Sequence, residues 1–236
     1  TRFKCDWSSD VCSSDLANNG LSKVAADVSV CTKCQLSFSR KKSVPGEGPV
    51  NAEIMFIGEG PGFYENEQGR PFVGAAGKFL DELLERAGMK RESVFITNVV
   101  KCRPPGNRDP LPEELEACYQ YLDEQIRIIN PCVIVTLGRY SMAKFMPSVR
   151  ISDVHGKARW VENRMIVPMF HPAAALHQPS LKGAVMEDFS MLPEYIRQAQ
   201  QKRDGLPVDE TLVEEIKPAE ADASHHEEPP VQLSLF

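Results

Sequence analysis

Four short apolar runs in the middle of the chain have the pattern of buried β-strands. Each is six to eight residues long and rich in Val, Ile, Met or Phe, the first ends at Gly58, and Gly138 follows the third. Runs of this length with such boundaries favour strands over helices, which need more residues. The predicted strands cover residues 52–58, 93–100, 132–137 and 164–170.

Between the apolar runs, hydrophobic residues recur at intervals of three and four, which is the period of an amphipathic helix. Residues 74–87 follow this period and stop before Gly88, a residue suited to ending a helix. A second, longer pattern predicts a helix over residues 112–129. Shorter helices are predicted at 140–145 and 186–198.

The alternation of strands and helices predicts the fold class. Parallel strands need crossover connections, and helices usually supply them. We therefore predict an α/β protein, a three-layer sandwich with a central, mainly parallel four-stranded sheet. In such sheets, ligands bind outside the carboxyl ends of the strands.

Charge is distributed unevenly along the 236 residues. The formal net charge is −6, from 27 Lys or Arg and 33 Asp or Glu. Three basic and nine acidic residues lie from Gln200 onward. This tail therefore carries the whole excess of negative charge, and residues 1–199 have no net charge. An even spread of negative charge would have argued against a nucleic-acid partner, but a neutral folded part does not.

Both ends are predicted to lie outside the folded domain. Residues 1–16 show no usable hydrophobic period and resemble translated adapter sequence, so we expect a non-native leader. The domain should occupy residues 17–199, followed by a disordered acidic linker over 200–230 and a terminal peptide over 231–236. No run approaches the ~20 apolar residues of a membrane span, and no signal segment is evident. We therefore expect a reducing, cytoplasmic location.

Residues suited to ligand binding follow three of the predicted strands. The first strand leads into the turn 58–62, GEGPG, whose glycines let backbone amides approach a ligand. The second contains Asn98 and leads into a basic loop over residues 101–108, suited to phosphates. The fourth leads to His171. Each feature alone has an ordinary structural explanation, whereas all of them at one sheet edge indicate a binding site.

Four cysteines have spacings that permit a metal centre. Cys31 and Cys34 form a CxxC pair, and Cys102 and Cys118 lie some seventy residues downstream. Such a set can hold either a zinc ion or a [4Fe–4S] cluster, and spacing alone leaves both open. Two disulfides are a third possibility, disfavoured by the expected reducing compartment. Cys132 lies within an apolar run and is predicted to be a core residue.

Taken in order, the motifs are GEGPG at 58–62, Glu65 followed by GRPFVG at 69–74, TNVVKCRPP at 97–105 and HPAAAL at 171–176. With the four cysteines in register, they resemble the family-4 uracil-DNA glycosylases, the iron–sulfur branch of that superfamily. The resemblance covers roughly residues 30–196. It implies a base excision repair enzyme that hydrolyses the N-glycosidic bond of uracil in DNA and leaves an abasic site.

The resemblance assigns the cysteines and the residues that recognise the base. It implies a [4Fe–4S] cluster bound by the four cysteines named above. Phe72 is expected to stack on the flipped uracil, and the amide of Asn98 to complement uracil O4 and N3–H. Glu65 is expected to stand near C5, where its bulk would reject the methyl group of thymine.

The resemblance also assigns the residues that act during cleavage. His171, as a neutral imidazole, is expected to stabilise negative charge on uracil O2, with help from the backbone amides near Gly58, Gly60 and Gly62. In the best-known branch of the superfamily, an aspartate that orients water occupies the position of Gly60. Glu59 is the nearest carboxylate here and is the remaining catalytic candidate.

Other functions remain open at this point. A broader-specificity base glycosylase of the same superfamily would use similar residues. The branch that traps DNA covalently carries a histidine-bearing loop after the second strand, and RPPGNRDPLP here contains no histidine. A non-enzymatic iron–sulfur or zinc protein that binds nucleic acid would explain the cysteines but leave Phe72, Asn98 and His171 without a role.

The last six residues, VQLSLF, suggest a partner. Apolar residues at the end of an acidic tail gain nothing from exposure to water, whereas a peptide docked in an apolar groove does. The segment resembles the peptide by which bacterial repair proteins bind the polymerase sliding clamp. We therefore expect a monomer that acts on single- or double-stranded DNA near the nucleoid, with a clamp contact through Gln232, Leu233, Leu235 and Phe236.

Overall fold

The structure is a computed structural model, and it describes residues 9–161, 164–209 and 213–215. In this part of the chain, six strands form one sheet in the order β2-β1-β3-β5-β4-β6. Their bounds are β1 Ile54–Gly58, β2 Phe95–Asn98, β3 Val133–Leu137, β4 Arg159–Val161, β5 Arg164–Met169 and β6 Glu214–Glu215.

The described residues also form ten α-helices. These are α1 Ser9–Val30, α2 Leu36–Ser39, α3 Phe63–Gln68, α4 Ala75–Arg86, α5 Pro112–Ile129, α6 Arg139–Ala143, α7 Ile151–Val154, α8 Pro172–His177, α9 Lys182–Ser190 and α10 Leu192–Arg203. Short 3₁₀ turns lie at Arg91–Ser93, Pro105–Asn107 and Pro179–Leu181. No helix in the described ranges is both long and apolar enough to span a bilayer.

The four predicted strands are β1, β2, β3 and β5, and all of them run parallel. The α/β class and the mainly parallel sheet are therefore confirmed. The sheet is wider than the four strands expected, because β4 pairs antiparallel with β5, and β6 pairs with β4. Both are very short, and the segment around Trp160 alternates charged and apolar residues, so neither gives the apolar run that marks a buried strand.

The sheet separates two hydrophobic cores, one on each face. Adjacent residues of a strand contribute to different cores because their side chains point to opposite faces. Phe56 packs with α4, α9 and α10, and its ring stacks on Phe189 with 6.0 Å between centroids. Met55 and Ile57 point the other way and pack with Leu122 and other residues of α5 and α6. This alternation follows from the two-residue period of a strand, and it confirms the three-layer sandwich.

A helix crosses the N-terminal domain boundary that the sequence predicts. Helix α1 begins at Ser9, inside the segment 1–16 that we predict to be a non-native leader. Its C-terminal half packs on α5, where Val24 and Val28 are buried against Tyr121. Only a few apolar side chains make this contact, so α1 has little hydrophobic periodicity for the sequence to reveal.

A helix also crosses the predicted C-terminal boundary. The single final helix predicted over residues 186–198 is two helices, α9 and α10, and α10 continues to Arg203. The predicted disordered linker over 200–230 therefore begins inside a helix, and β6 lies within it. The terminal peptide 231–236 lies outside the described residues.

Candidate functional site

The predicted site residues meet at the carboxyl edge of the sheet. Because β1, β2 and β5 are parallel, Gly58, Asn98 and the residues after Met169 end at the same edge. A cavity of about 280 Å³ opens there. Its lining includes six of the residues predicted for the site, namely Gly60, Gly62, Glu65, Phe72, Asn98 and His171.

Gly58 and Asn98 are register partners at the ends of β1 and β2. The Asn98 side chain is buried, and its Oδ1 atom has no hydrogen-bond partner among the described residues. A Cβ atom on Gly58 would lie 2.4 Å from this oxygen and 2.7 Å from the Phe72 ring. No side chain therefore fits at position 58, because the Asn98 amide and the Phe72 ring occupy the space that it would need. A buried acceptor without a partner is costly unless a ligand satisfies it.

Phe72 forms one wall of the cavity. It adopts a left-handed backbone conformation, with φ of 51°, and its ring stacks on the His171 ring with 5.5 Å between centroids. Glu65 stabilises this turn, because one of its oxygens accepts hydrogen bonds from the backbone N–H groups of Val73 (2.8 Å) and Gly74 (2.9 Å). The Glu65 carboxylate thus holds the loop that presents Phe72. Its expected contact with C5 of a pyrimidine stays a prediction.

His171 is held in one tautomer. It precedes α8, and its Nδ1 accepts the backbone N–H of Ala173 at 3.1 Å, so the ring proton resides on Nε2. Burial lowers the pKa of His171 to about 4. The imidazole is therefore neutral near pH 7 and presents one N–H donor, as the sequence led us to expect.

Glu59 lies beside the main cavity. It lines a smaller one together with Gly60, Arg108 and His171. Burial raises the pKa of Glu59 to about 8, and the nearby carboxylate of Asp109 adds to this rise. The carboxyl group is therefore mostly protonated at neutral pH. Glu59 could orient water as an aspartate would only at alkaline pH, where its side chain is ionised.

Gly60 occupies a position with no room for a larger residue. A Cβ atom there would lie 2.7 Å from Cγ2 of Val100, a buried residue of the loop after β2. The same loop is hydrogen-bonded to this turn, because the N–H of Val100 donates to the Glu59 carbonyl at 3.1 Å. An aspartate at position 60 would therefore require the Val100 side chain to shift.

The loop over residues 101–108 is not the simple phosphate-binding loop that we predicted. Lys101 is 1% exposed, and its Nζ donates to Thr97 Oγ1 (2.6 Å), the Asn98 carbonyl (2.7 Å) and Gln125 Oε1 (2.7 Å). Burial lowers the pKa of Lys101 to about 7. Lys101 therefore supports the backbone of Asn98 from behind, a role that the sequence pattern did not reveal.

The remaining cations of this loop are also engaged. Arg108 forms a two-point ion pair with the buried Glu114 carboxylate, at 2.6 and 2.8 Å. Arg103 donates to Asn107 Oδ1 at 2.6 Å, and its guanidinium lies over the Phe63 ring, 5.3 Å from the centroid. Arg103 is the loop cation that remains beside the cavity mouth.

The four predicted cysteines come together behind this loop. Three of them pack in one cluster with Leu36 and Val100, and Cys31 lies next to them at the end of α1. N–H groups are directed at the sulfurs. The Lys33 backbone N–H lies 3.5 Å from the Cys31 sulfur, and Arg40 Nη1 lies 3.4 Å from the Cys102 sulfur. All are free thiols, and burial raises the pKa of Cys118 to about 11.

Four neighbouring thiols with N–H donors aimed at sulfur are a ligand set of the kind that binds zinc or an iron–sulfur cluster. Among the described residues, no three His, Cys, Asp or Glu side chains converge on a point that could hold a single ion.

Comparisons with known proteins agree with this geometry. A family model described as the uracil DNA glycosylase superfamily matches residues 45–191. A type-4 uracil-DNA glycosylase from Sulfurisphaera tokodaii is 49% identical over 186 residues, covering 75% of this chain and 84% of that protein. The type-4 enzyme from Thermotoga maritima is 45% identical over 179 residues, covering 74% and 93%.

A type-5 uracil-DNA glycosylase from Pyrobaculum aerophilum is more distant, at 29% identity over 150 residues, or 56% of this chain and 66% of that protein. The family model spans more than half of the chain, and the type-4 relatives match most of their own length. This chain therefore belongs to the uracil-DNA glycosylase superfamily and, within it, to the type-4 uracil-DNA glycosylases.

Proposed function

We propose that this DNA repair glycosylase reads a flipped uracil with Asn98 and stabilises the departing base with His171. The observation that carries the proposal is the pairing of two complementary groups in one cavity. Asn98 contributes a buried acceptor without a partner, and His171 contributes a neutral donor. A uracil ring offers N3–H to the first group and O2 to the second.

Recognition requires the uracil to leave the base stack. In the cavity, Asn98 Oδ1 accepts N3–H and the amide N–H donates to O4. Cytosine presents an acceptor at N3 and a donor at C4, so it leaves both amide groups mispaired. Unpaired buried polar groups make such discrimination strong. Phe72 stacks on the ring, and Glu65 both holds the Phe72 loop and excludes the C5 methyl group of thymine.

Cleavage of the bond to C1′ leaves an oxocarbenium-like sugar and a uracil anion. The Nε2–H of His171 donates to O2 as negative charge develops there, and the backbone amides of Gly58, Gly60 and Gly62 add to the same field. One such donor typically contributes about 2.7–4 kcal/mol to the transition state. The attacking water needs orientation more than deprotonation, because the sugar cation is already electrophilic. Protonated Glu59, beside His171, adds no opposing charge.

The four cysteines would hold a [4Fe–4S] cluster, which would supply a rigid cross-link between the N-terminal segment, the loop after β2 and α5. Hydrolysis transfers no electrons, so the contribution of these residues is structural. Cys102 and Lys101 are consecutive, so fixing Cys102 also fixes the ammonium that supports Asn98.

The terminal peptide would tether the enzyme to replicating DNA. A groove in the bacterial sliding clamp would bury Leu233, Leu235 and Phe236. Tethering raises the local concentration of a weak contact. The domain would act as a monomer at the nucleoid.

Replacement of Asn98 or His171 by Ala tests the pocket. Each variant should lower the single-turnover rate of uracil release about 100-fold or more, because each removes a hydrogen bond to the reacting base. Affinity for uracil-free DNA should change little. Asn51→Ala, an exposed amide at the other end of β1, is the control. Near-wild-type rates in both pocket variants would contradict the assignment.

The pH dependence of the single-turnover rate tests the protonation states. With a His171 pKa of about 4 and a Glu59 pKa of about 8, the rate should be level between about pH 5 and 7 and fall above about pH 8. Ionised Glu59 would oppose the charge that develops on O2. Glu59→Gln cannot ionise, so it should lack the alkaline fall. A rate that rises above pH 8 would instead make the carboxylate a water-orienting group.

Replacement of Cys102 by Ser tests the cluster. The variant should lose iron and the visible absorption of anaerobically purified protein, and it should bind DNA more weakly because the loop before Arg103 is released. Cys132→Ser is the matched control. That thiol is also buried, but it bonds the Glu53 carbonyl at 3.1 Å, far from the other four. Equal iron content in both variants would refute the ligand set.

Deletion of residues 232–236 tests the tether. Calorimetry with a purified bacterial sliding clamp should detect binding by the full chain and none by the truncated chain, while both release uracil from a short oligonucleotide equally. Leu233→Ala should weaken binding strongly and Ser234→Ala only slightly, because the groove would bury the leucine. Equal clamp affinity of full and truncated chains would eliminate the contact.

A further inference from the structure

Three exposed apolar side chains surround the mouth of the cavity. Eight large hydrophobic side chains are exposed in the described part of the chain, and three of them, Phe63, Tyr64 and Leu176, line this one cavity. Phe63 and Tyr64 are 52% and 58% exposed. Neither belongs to a hydrophobic core, so packing of the fold does not explain them. Large apolar groups concentrated at one site indicate an interaction surface.

Phe63 and Tyr64 form a defined pair at the start of α3. Their rings are 5.4 Å apart and nearly perpendicular, at 86°. The Arg103 guanidinium lies over the Phe63 ring, 5.3 Å from its centroid, and a hydrogen bond to Asn107 orients it. Tyr64 rests against Gly74, beside the loop that carries Phe72. These contacts hold the two rings at the mouth and leave more than half of each exposed.

From this arrangement we propose that Phe63, Tyr64 and Arg103 form a stacking platform for the unpaired base that adjoins the flipped uracil in single-stranded DNA. The proposal rests on the proposed function, since the nucleotide in the cavity places its strand neighbours at the mouth. Aromatic rings and a guanidinium plane are the groups on which unpaired bases stack. In a duplex, the flanking base stays paired with its complement and stacked on its other neighbour, so leaving the helix to stack on these rings costs it those contacts.

The charges of the domain favour the same conclusion. Residues 1–199 are neutral, and two of the three cations of the nearby loop are buried or paired, namely Lys101 and Arg108. The attraction that this loop exerts on phosphates is therefore limited. Stacking is worth about 1–3 kcal/mol per base and does not depend on net charge. The platform gives the enzyme a preference for single strands that electrostatics does not supply.

Affinity measurements on Phe63→Ala, Tyr64→Ala and the double variant test the platform. The probe is a single-stranded oligonucleotide with one uracil, compared with the same strand carrying abasic sites on both sides of the uracil and with the uracil duplex. Each ring removed should weaken binding to the first strand about ten-fold, since 1.4 kcal/mol is a factor of ten. The decrease in kcat/KM should result mainly from an increase in KM. Binding to the other two probes should change much less.

Two further variants separate stacking from general apolar contact. Phe63→Trp should keep or improve affinity for the single strand, whereas Phe63→Leu should lose it despite similar apolar area. Leu206→Ala, another exposed apolar residue just beyond α10, should leave both affinity and uracil release unchanged.

The measurements distinguish a failure of the stacking platform from a failure of the proposed glycosylase function. Equal single-strand affinity of wild type and the double variant, or full retention of affinity by Phe63→Leu, would overturn the platform while uracil release continued. Equal losses on the single strand, the abasic-flanked strand and the duplex would also overturn it. Absence of uracil release by the wild-type holoenzyme would instead overturn the proposed function.

Discussion

The parallel pairing of β1 with β2 is the constraint on which the site depends. It makes Gly58 and Asn98 register partners, and it continues past both strand ends through the hydrogen bond from Val99 N–H to the Gly58 carbonyl. Because Gly58 has no side chain, the Asn98 amide and the Phe72 ring can occupy the space above it. A shift of one residue in this register would turn Asn98 toward the opposite face of the sheet.

Behind this pair, a buried ammonium connects the pocket to the cysteine-rich side of the molecule. Lys101 is surrounded by three neutral oxygens, from Thr97, Asn98 and Gln125, which satisfy its three donors. Burying an ammonium without a charged partner is expensive, so each of these hydrogen bonds is needed. The residue after Lys101 is Cys102, so the backbone directly connects the cysteines proposed to bind a cluster with the lysine that supports Asn98.

The amino-acid sequence by itself determined the α/β class, the four central strands and six of the residues that line the cavity. Apolar runs have a length and a composition that local physics ties to buried strands. The carboxyl ends of parallel strands share one edge, so Asn98 and His171 could be placed together before any coordinates. The resemblance of the motifs to a known family identified Phe72 and Glu65 and the four cysteines, which spacing alone could not assign to one metal.

Only the tertiary structure decided the features that depend on neighbours distant in sequence. Lys101 has the appearance of a phosphate-binding residue, yet Gln125 and Thr97 provide acceptors that let it be buried. The tautomer of His171 and the raised pKa of Glu59 follow from burial and hydrogen bonds, which no local pattern encodes. Likewise α1 and β4 are held by their partners α5 and β5, because their own hydrophobic content is too low to predict them.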